Sequence, residues 1–145
     1  MNEEIINPQE GLEKYKKTTE LILSLPESLV LQNNWGKKEL VIHLWVWDKE
    51  FLKNLYAALE ERKISWDEKF KNEETLNQWN DEQIKKYSKL SYEKVVNNFR
   101  KTRAEVIKLY EKLLEKELSD EEKTLFTLWL HDLHHLRQAD SNITV

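Results

Sequence analysis

The chain has 145 residues, of which 34% are charged and 39% hydrophobic, and its formal net charge is −4. A chain of this length fits one domain, because about 68–70% of its unfolded surface can be buried on folding. Its two glycines and two prolines supply little material for the tight turns of a β fold, so an all-α fold is expected. The acidic balance offers no basic surface for nucleic acid.

The amino-acid usage also excludes several kinds of chemistry. With no cysteine, the chain can form no disulfide, zinc–thiolate site or iron–sulfur cluster. Two glycines cannot build a phosphate-binding loop or a dinucleotide fingerprint. No apolar run approaches the roughly 20 residues of a membrane span, and the acidic N-terminus lacks a signal-peptide core. We therefore expect a soluble, cytoplasmic protein with no membrane partner.

The first predicted helix begins at Asn7, and Pro26 stops its apolar run. Asn7 can cap it, Pro8 suits the first helical position, and Glu10 completes a capping-box pattern. The second predicted helix runs from about Gly36, an acceptable cap, to about residue 62. Core-facing residues recur at helical spacing in both segments: Leu12, Tyr15, Thr19 and Ile22 in the first, and Leu40, Leu44, Trp47, Phe51, Leu55 and Tyr56 in the second.

Residues 63–90 are polar and form a long predicted connection, with a short helix near Asp81–Tyr87. A third helix is predicted from Ser91 to about residue 116. A fourth is predicted from Ser119 to about Ala139, with Glu122 completing a second capping box. Four helices joined by one long crossover favour a four-helix bundle.

Three of the four histidines lie within one turn of the predicted fourth helix. His131 and His135, four residues apart, share a helix face and can offer two imidazoles to one metal ion. His131 and His134, three residues apart, can do the same. Periodicity does not decide which pair faces the core, because apolar residues surround this helix through much of its length. The competing interpretation is a cluster of solvated surface histidines.

The remaining histidine, His43, lies on the flank of the apolar stripe of the second helix. At about 100° per residue it is about 60° from Leu40 and about 40° from Trp47, so it faces inward or nearly so. Alone, such a residue is more often a hydrogen-bonded core histidine. Together with a histidine pair on another helix, it offers the third nitrogen of a metal site that leaves positions open for water or substrate.

Two segments resemble the DinB-like (DinB/YfiT-like) family of metal-binding four-helix bundles. Residues 35–44, WGKKELVIHL, followed by Trp47, resemble the entry to the family's second helix, where a tryptophan, a cap, an acidic residue and a histidine–leucine pair recur. Residues 131–138, HDLHHLRQ, resemble its last-helix motif of two histidines four apart and a following glutamine. Residues 76–80, LNQWN, with Tyr87 are also similar to members of this superfamily. The likeness covers most of the chain.

The resemblance implies an up-down-down-up four-helix bundle with one long crossover, in one domain that takes in the whole chain. It implies a divalent metal ion, nickel or zinc, held by His43, His131 and His135, and a homodimer. It further implies a metal-dependent thiol S-transferase or hydrolase. Its substrate would be a small molecule, such as a low-molecular-weight thiol, and its nucleophile a metal-bound water or thiol. The chain departs from the family at Gly36, where serine or threonine is common, and in the additional His134.

Other residues are candidates for supporting roles. Asp132, Glu39 and Asp48 could accept hydrogen bonds from ligand imidazoles, although helix carboxylates are more often solvated. Trp47 and Trp129 could line a pocket, although tryptophans at helical spacing are usually core residues. The alternatives to an enzyme are a non-catalytic binding or sequestration bundle and a metal-free relative of the colibactin self-protection family.

Overall fold

The computed structural model describes residues 7–145. Within them the chain is all-helical, with no β-strand and one isolated β-bridge between Val30 and Gly36. In this part of the chain no helix combines the length and the apolar character that crossing a membrane requires. The α-helices are α1 (Pro8–Ser24), α2 (Lys37–Leu59), α3 (Glu73–Tyr87), α4 (Tyr92–Leu113), the single turn α5 (Asp120–Lys123) and α6 (Leu128–Ala139).

Three helices begin where the capping patterns in the sequence predict. The Asn7 side-chain oxygen accepts the Glu10 N–H at 3.1 Å at the start of α1. The Gly36 N–H donates to the Glu39 carboxylate at 2.8 Å before α2, and the Ser91 hydroxyl accepts a backbone N–H at 3.1 Å at the start of α4. These bonds satisfy backbone groups that have no intrahelical partner. They confirm the predicted N-termini.

The connection between α2 and α4 is more helical than predicted. A 3₁₀ turn, Glu68–Lys71, leads into α3, and Asn72 caps α3 by accepting the Thr75 N–H at 3.1 Å. The predicted short helix near residues 81–87 is therefore wrong in extent, since α3 begins at Glu73. No residue of α3 is fully buried, so its apolar pattern is faint in the sequence.

The predicted fourth helix is broken into two pieces. Ser119 and Glu122 form the expected capping box, with bonds of 2.9 and 3.1 Å, but a 3₁₀ turn, Thr124–Thr127, separates α5 from α6. Within it, Phe126 has φ −89° and ψ 34°, outside the α-helical region. The Phe126 ring stacks on Tyr110 with centroids 4.4 Å apart. Aromatic packing at this position therefore accompanies the loss of helix continuity.

Helix packing produces two apolar clusters. Helix α2 packs mainly along α4, and α1 packs along α6. In each of these four helices, one half contributes to one cluster and the other half to the other cluster. The first cluster includes Tyr15, Leu55, Val106, Leu128 and Phe126, and the second includes Ile22, Leu40, Phe99 and Leu136.

Gly11 marks a close approach between α1 and the broken segment. A Cβ added there would lie 3.0 Å from Phe126 Cβ and still closer to the Phe126 carbonyl oxygen. Gly11→Ala should therefore lower the free energy of unfolding by about 1–3 kcal/mol, even though alanine favours helix. Lys17→Ala, at an exposed position of the same helix, is the matched control and should change it by less than about 0.5 kcal/mol. Urea unfolding measures both, and a Gly11→Ala protein as stable as the wild type would contradict the close contact.

Candidate metal centre

A layer of buried polar side chains lies between the two apolar clusters. Arg103 in α4 donates from Nε to Asp48 in α2 at 2.7 Å. It also donates from Nη1 and Nη2 to the two carboxylate oxygens of Asp132 in α6, at 2.6 and 2.8 Å. All three residues are at most 2% exposed. The polar layer consists of these residues together with three from α1: Tyr15, Thr18 and Thr19.

Helix α1 completes the polar layer with hydroxyl groups. Thr18 Oγ1 donates to Asp132 at 2.6 Å, and Thr19 Oγ1 accepts from Arg103 at 3.0 Å. The Tyr15 hydroxyl donates to the Asp48 carboxylate at 3.4 Å. The centroid of the Tyr15 ring lies 4.4 Å from the Arg103 guanidinium carbon. Hydrogen bonds to charged groups, which are the strong class of hydrogen bond, thus join all four packed helices.

Pairing offsets part of the cost of burying these charges. Burial raises the pKa of Asp48 to about 7, and the Arg103 guanidinium opposes that rise. Removing one partner of such a buried group leaves an uncompensated charge, which typically costs about 3–5 kcal/mol. The polar layer therefore fixes α2 against α6, the two helices that carry the histidines.

Three histidines bring their imidazole nitrogens together and form what we call the triad. His131 Nε2 lies 3.2 Å from His43 Nε2 and 3.3 Å from His135 Nε2. The three pairs of ring centroids are 4.8 to 5.0 Å apart. His43 and His135 are buried, and His131 is half-buried. The i,i+4 pair of α6 thus meets the inward histidine of α2.

Two of the three nitrogen separations in the triad suit one metal ion better than mutual hydrogen bonds. Each nitrogen of a neutral imidazole either donates one hydrogen or accepts one, so His131 Nε2 can satisfy only one of its two neighbours well. A tetrahedral ion bound at about 2.0–2.1 Å would hold nitrogen ligands about 3.3–3.4 Å apart, close to the separations of 3.2 and 3.3 Å. Imidazole donors of this kind suit zinc and nickel.

The outer nitrogens of the triad differ in their partners. His135 Nδ1 lies 2.9 Å from Gln138 Oε1. Because a carbonyl oxygen only accepts, Nδ1 carries the proton and Nε2 keeps its lone pair. His43 Nδ1 is the one buried side-chain nitrogen or oxygen among residues 7–145 that has no hydrogen-bond partner, a cost of about 1–3 kcal/mol. Metal binding through His43 Nε2 would leave Nδ1 as the protonated nitrogen, so the case for an ion rests on the Nε2 atoms.

The environment of the triad keeps its imidazoles neutral. Burial, followed by the neighbouring imidazoles, lowers the pKa of His43 well below its usual value. Burial, the His135 imidazole and Arg103 lower the pKa of His131 to about 3. Burial also lowers the pKa of His135, although its hydrogen bond to Gln138 acts in the other direction. Since neutral imidazole is the form that binds metal, the triad is in its ligating form at pH 7.

The triad lines a cleft of about 640 Å³, within the range of about 300–1,000 Å³ typical of small-molecule pockets. Trp35 stacks on His135, with ring centroids 5.9 Å apart, and its ring centroid lies 5.0 Å from that of His43. Trp47 packs against His131, with ring centroids 4.8 Å apart. Both indoles also line the cleft, so aromatic surface borders the position where a ligand would meet the triad.

The candidate carboxylates of the sequence analysis have other partners. Glu39 accepts the Gly36 N–H at the start of α2, and Asp48 and Asp132 belong to the polar layer. The side chain that hydrogen-bonds a triad imidazole is instead Gln138.

The two candidate tryptophans and the additional histidine differ in their positions relative to the cleft. Trp47 lines the cleft, whereas Trp129 packs against the first apolar cluster with Lys14 Nζ 4.4 Å from its ring centroid. His134 lines the cleft but is exposed and lies outside the triad. The three predicted ligands are therefore brought together, and the additional histidine is not among them.

Sequence reasoning missed Arg103 and gave Gln138 no role. Arg103 lies four residues after Phe99 and three before Val106, inside the apolar stripe of α4. A cation at a core-facing position of this kind is the signal that could have revealed it. Gln138 lies three residues after His135, a spacing that lets the two side chains touch on a helix.

Arg103→Met tests the polar layer. The change leaves two buried carboxylates without their cation, so the free energy of unfolding should fall by about 3–5 kcal/mol at pH 8. The loss should shrink toward pH 5. Burial already raises the pKa of Asp48 to about 7 with Arg103 present, so the folded variant takes up a proton that the unfolded chain does not bind. The variant is therefore more stable below this pKa and loses stability as the pH rises through it.

Urea unfolding of Arg103→Met at pH 5, 6.5 and 8 measures this effect. Arg100→Met, at an exposed position one turn earlier in α4, is the matched control and should be nearly neutral at each pH. A loss of stability that is the same at all three values would mean that the carboxylates are not paired as described.

The chain was also compared with known proteins. It matches no protein-family model, no curated protein and no solved structure. The likeness to DinB-like proteins therefore rests on the sequence segments quoted above, and the function is argued from the triad, the polar layer and the cleft.

Proposed function

We propose that the protein binds one divalent metal ion, zinc or nickel, through the Nε2 atoms of His43, His131 and His135. The observation that carries this proposal is the convergence of three neutral imidazoles whose ligand atoms all lie within 4.8 Å of one another. Three neutral ligands leave the charge of the ion uncompensated. They also leave part of its coordination sphere for water or a ligand from the cleft.

The proposed scaffold is an up-down-down-up four-helix bundle made of α1, α2, α4 and α6, with α3 in the long crossover. The packing of α2 along α4 and of α1 along α6 supports it. The polar layer also supports it, because one guanidinium is bonded to side chains of the other three helices. In this arrangement the metal site would lie between α2 and α6.

The proposed activity is that of a metal-dependent thiol S-transferase or hydrolase. A divalent ion in such a site supplies Lewis-acid chemistry that lowers the pKa of a bound water or thiol. The side chains of this protein would prepare the site. Gln138 fixes the tautomer of His135, and Trp35 and Trp47 restrict solvent around the imidazoles. The cleft then provides the approach for a small-molecule substrate.

The wild-type protein should bind one zinc or nickel ion per chain. His43→Ala, His131→Ala and His135→Ala each remove a nitrogen ligand. Their affinity for metal should fall by more than the roughly 10–100-fold typical of losing an outer partner of a ligand. Elemental analysis gives the metal content, and competition with a chromophoric chelator gives the affinity. Circular dichroism confirms that each variant is folded.

His134→Ala is the matched control, because His134 is exposed on the same helix and lies outside the triad. Its affinity should stay within about twofold of the wild type. Protons should also compete little with metal between pH 7.5 and 6, because burial and neighbouring charges lower the pKa of His131 to about 3. Metal-free wild-type protein in the presence of zinc and nickel, or loss of metal in His134→Ala, would disprove the assignment.

Catalysis needs its own measurement. We expect the metal-loaded protein to react within a panel of low-molecular-weight thiols paired with electrophiles, or of hydrolysable esters and amides. The rate should vanish with a chelator, return with added metal, and be absent in His131→Ala. If metal raises the melting temperature but no substrate reacts, the ion ties α2 to α6 without turnover and the enzyme assignment fails.

A further inference from the structure

Among the residues that the structure describes, the lining of the cleft beside the triad includes no lysine or arginine. Its lining outside the triad consists of two tryptophans, a leucine, three asparagines, an aspartate and His134. None of these residues is lysine or arginine. Away from the proposed ion, an anionic group would therefore find no ammonium or guanidinium group in the lining, while the carboxylate of Asp81 would repel it.

Three lysines near the cleft tryptophans in sequence are engaged elsewhere. Lys37 Nζ donates to the carbonyl oxygens of Leu23 and Leu25 at 2.9 and 2.7 Å. Lys38 Nζ donates to the carbonyl oxygen of Ser88 at 2.8 Å. Lys49 Nζ donates to the hydroxyl of Tyr87 at 3.3 Å and lies 4.7 Å from the centroid of the Trp45 ring. These lysines would have to leave their present partners to reach an anion in the cleft.

Two asparagines present amide N–H groups. Trp47 Nε1 can only donate, so the atom of Asn80 that lies 3.2 Å from it is the oxygen. The backbone N–H of Trp35 likewise fixes the oxygen of Asn33 at 3.1 Å. Both contacts leave the amide nitrogens as the remaining donors of these lining residues. A matching ligand therefore carries acceptor oxygens.

The walls of the cleft favour a planar group. Trp35 and Trp47 are half-buried, so part of each indole remains exposed. The two indoles pack against different imidazoles, His135 and His131. Aromatic rings gain stabilisation beyond their area when they stack on, or meet edge to face, another ring.

We propose that the part of the cleft away from the proposed ion takes an uncharged aromatic group with oxygen acceptors and discriminates against carboxylates placed there. This inference rests on the proposed metal site, which would bind the donor atom of the same ligand. It narrows the substrate class, because a small thiol that carries carboxylates, such as glutathione, would be a poor match. An uncharged aryl thiol or aryl amide would be a good one.

Four hydroxamic acids test the inference on the zinc-loaded wild-type protein, because all four offer the same metal-binding group. Isothermal titration calorimetry gives their affinities. Benzohydroxamic acid should bind about tenfold more tightly than acetohydroxamic acid, since only the former has a ring to pack on the indoles. 4-Carbamoylbenzohydroxamic acid should bind at least about fivefold more tightly than 4-carboxybenzohydroxamic acid, which has nearly the same shape and one negative charge.

Two neighbouring carboxylates provide a matched pair of variants. Asp81→Asn should bring the affinities of the carbamoyl and carboxy probes closer together, because Asp81 lines the cleft. Glu82→Gln removes the same charge one residue away, outside the lining, and should leave their ratio unchanged. Trp35→Leu should reduce the preference for the aryl probe over the alkyl probe. Both acidic residues are exposed, so neither substitution threatens the fold.

The outcomes separate this inference from the proposed function. Elemental analysis before the titrations shows whether zinc is bound, and a protein that takes up none overturns both. A zinc-loaded protein that binds no probe, or binds the carboxy and carbamoyl probes equally, overturns the ligand class and leaves the metal site intact. Equal effects of Asp81→Asn and Glu82→Gln would show that Asp81 does not discriminate in the cleft.

Discussion

The arrangement of this protein depends on one buried guanidinium. Arg103 contacts a carboxylate from α2, a carboxylate from α6 and a hydroxyl from α1. Helix α4 cannot shift along its neighbours, because any shift would separate the Arg103 guanidinium from its carboxylates. The unpaired buried charges would cost several kcal/mol. The hydrophobic clusters supply most of the driving force for folding. The polar layer adds the register between helices, a specificity that apolar contacts alone give less sharply.

The triad and the polar layer are buried to a similar degree but differ in how their polar atoms are satisfied. In the polar layer Arg103 and Asp132 each have several partners at 2.6 to 3.0 Å. Asp48 accepts from Arg103 at 2.7 Å and from Tyr15 at 3.4 Å. In the triad, the inner nitrogens meet only one another and one outer nitrogen, His43 Nδ1, has no partner. A satisfied network rigidifies a core, whereas a buried set of unused lone pairs is suited to a ligand. This contrast is why we treat the polar layer as part of the scaffold and base the proposed function on the triad.

Much of the fold could be predicted from the sequence because caps are local. Asn7, Gly36 and Ser91 each fix a helix start through contacts within four residues, and the sequence shows these contacts directly. The length of α3 could not be predicted, since a helix that buries nothing fully leaves little apolar periodicity. The helix break at Phe126 could not be predicted either, because no proline or glycine marks it in the sequence. It depends on packing against Tyr110, which is distant in the chain.

The candidate site shows the same division between local and distant information. The i,i+4 spacing of His131 and His135 is visible in the sequence, as is the inward position of His43. The choice of pair is not, because α6 has apolar neighbours on several sides. Only the meeting of His43 with His131 and His135 in the structure leaves His134 out. The partners of Arg103 could not be predicted from the sequence for a similar reason. Each lies on a different helix, and a single sequence does not show which side chains meet across helices.

The triad and another part of the cleft lining lie on different helices, and this affects how the protein can change over evolutionary time. The triad lies on α2 and α6, which the polar layer holds in place, whereas Asn77, Asn80 and Asp81 come from α3, a helix with no fully buried residue. Substitutions on α3 remove little packing and therefore cost little stability. Descendants of this chain could exchange one set of α3 side chains for another and acquire new ligand preferences. They would keep the same three imidazoles and the same Arg103 while their ligand specificity changed.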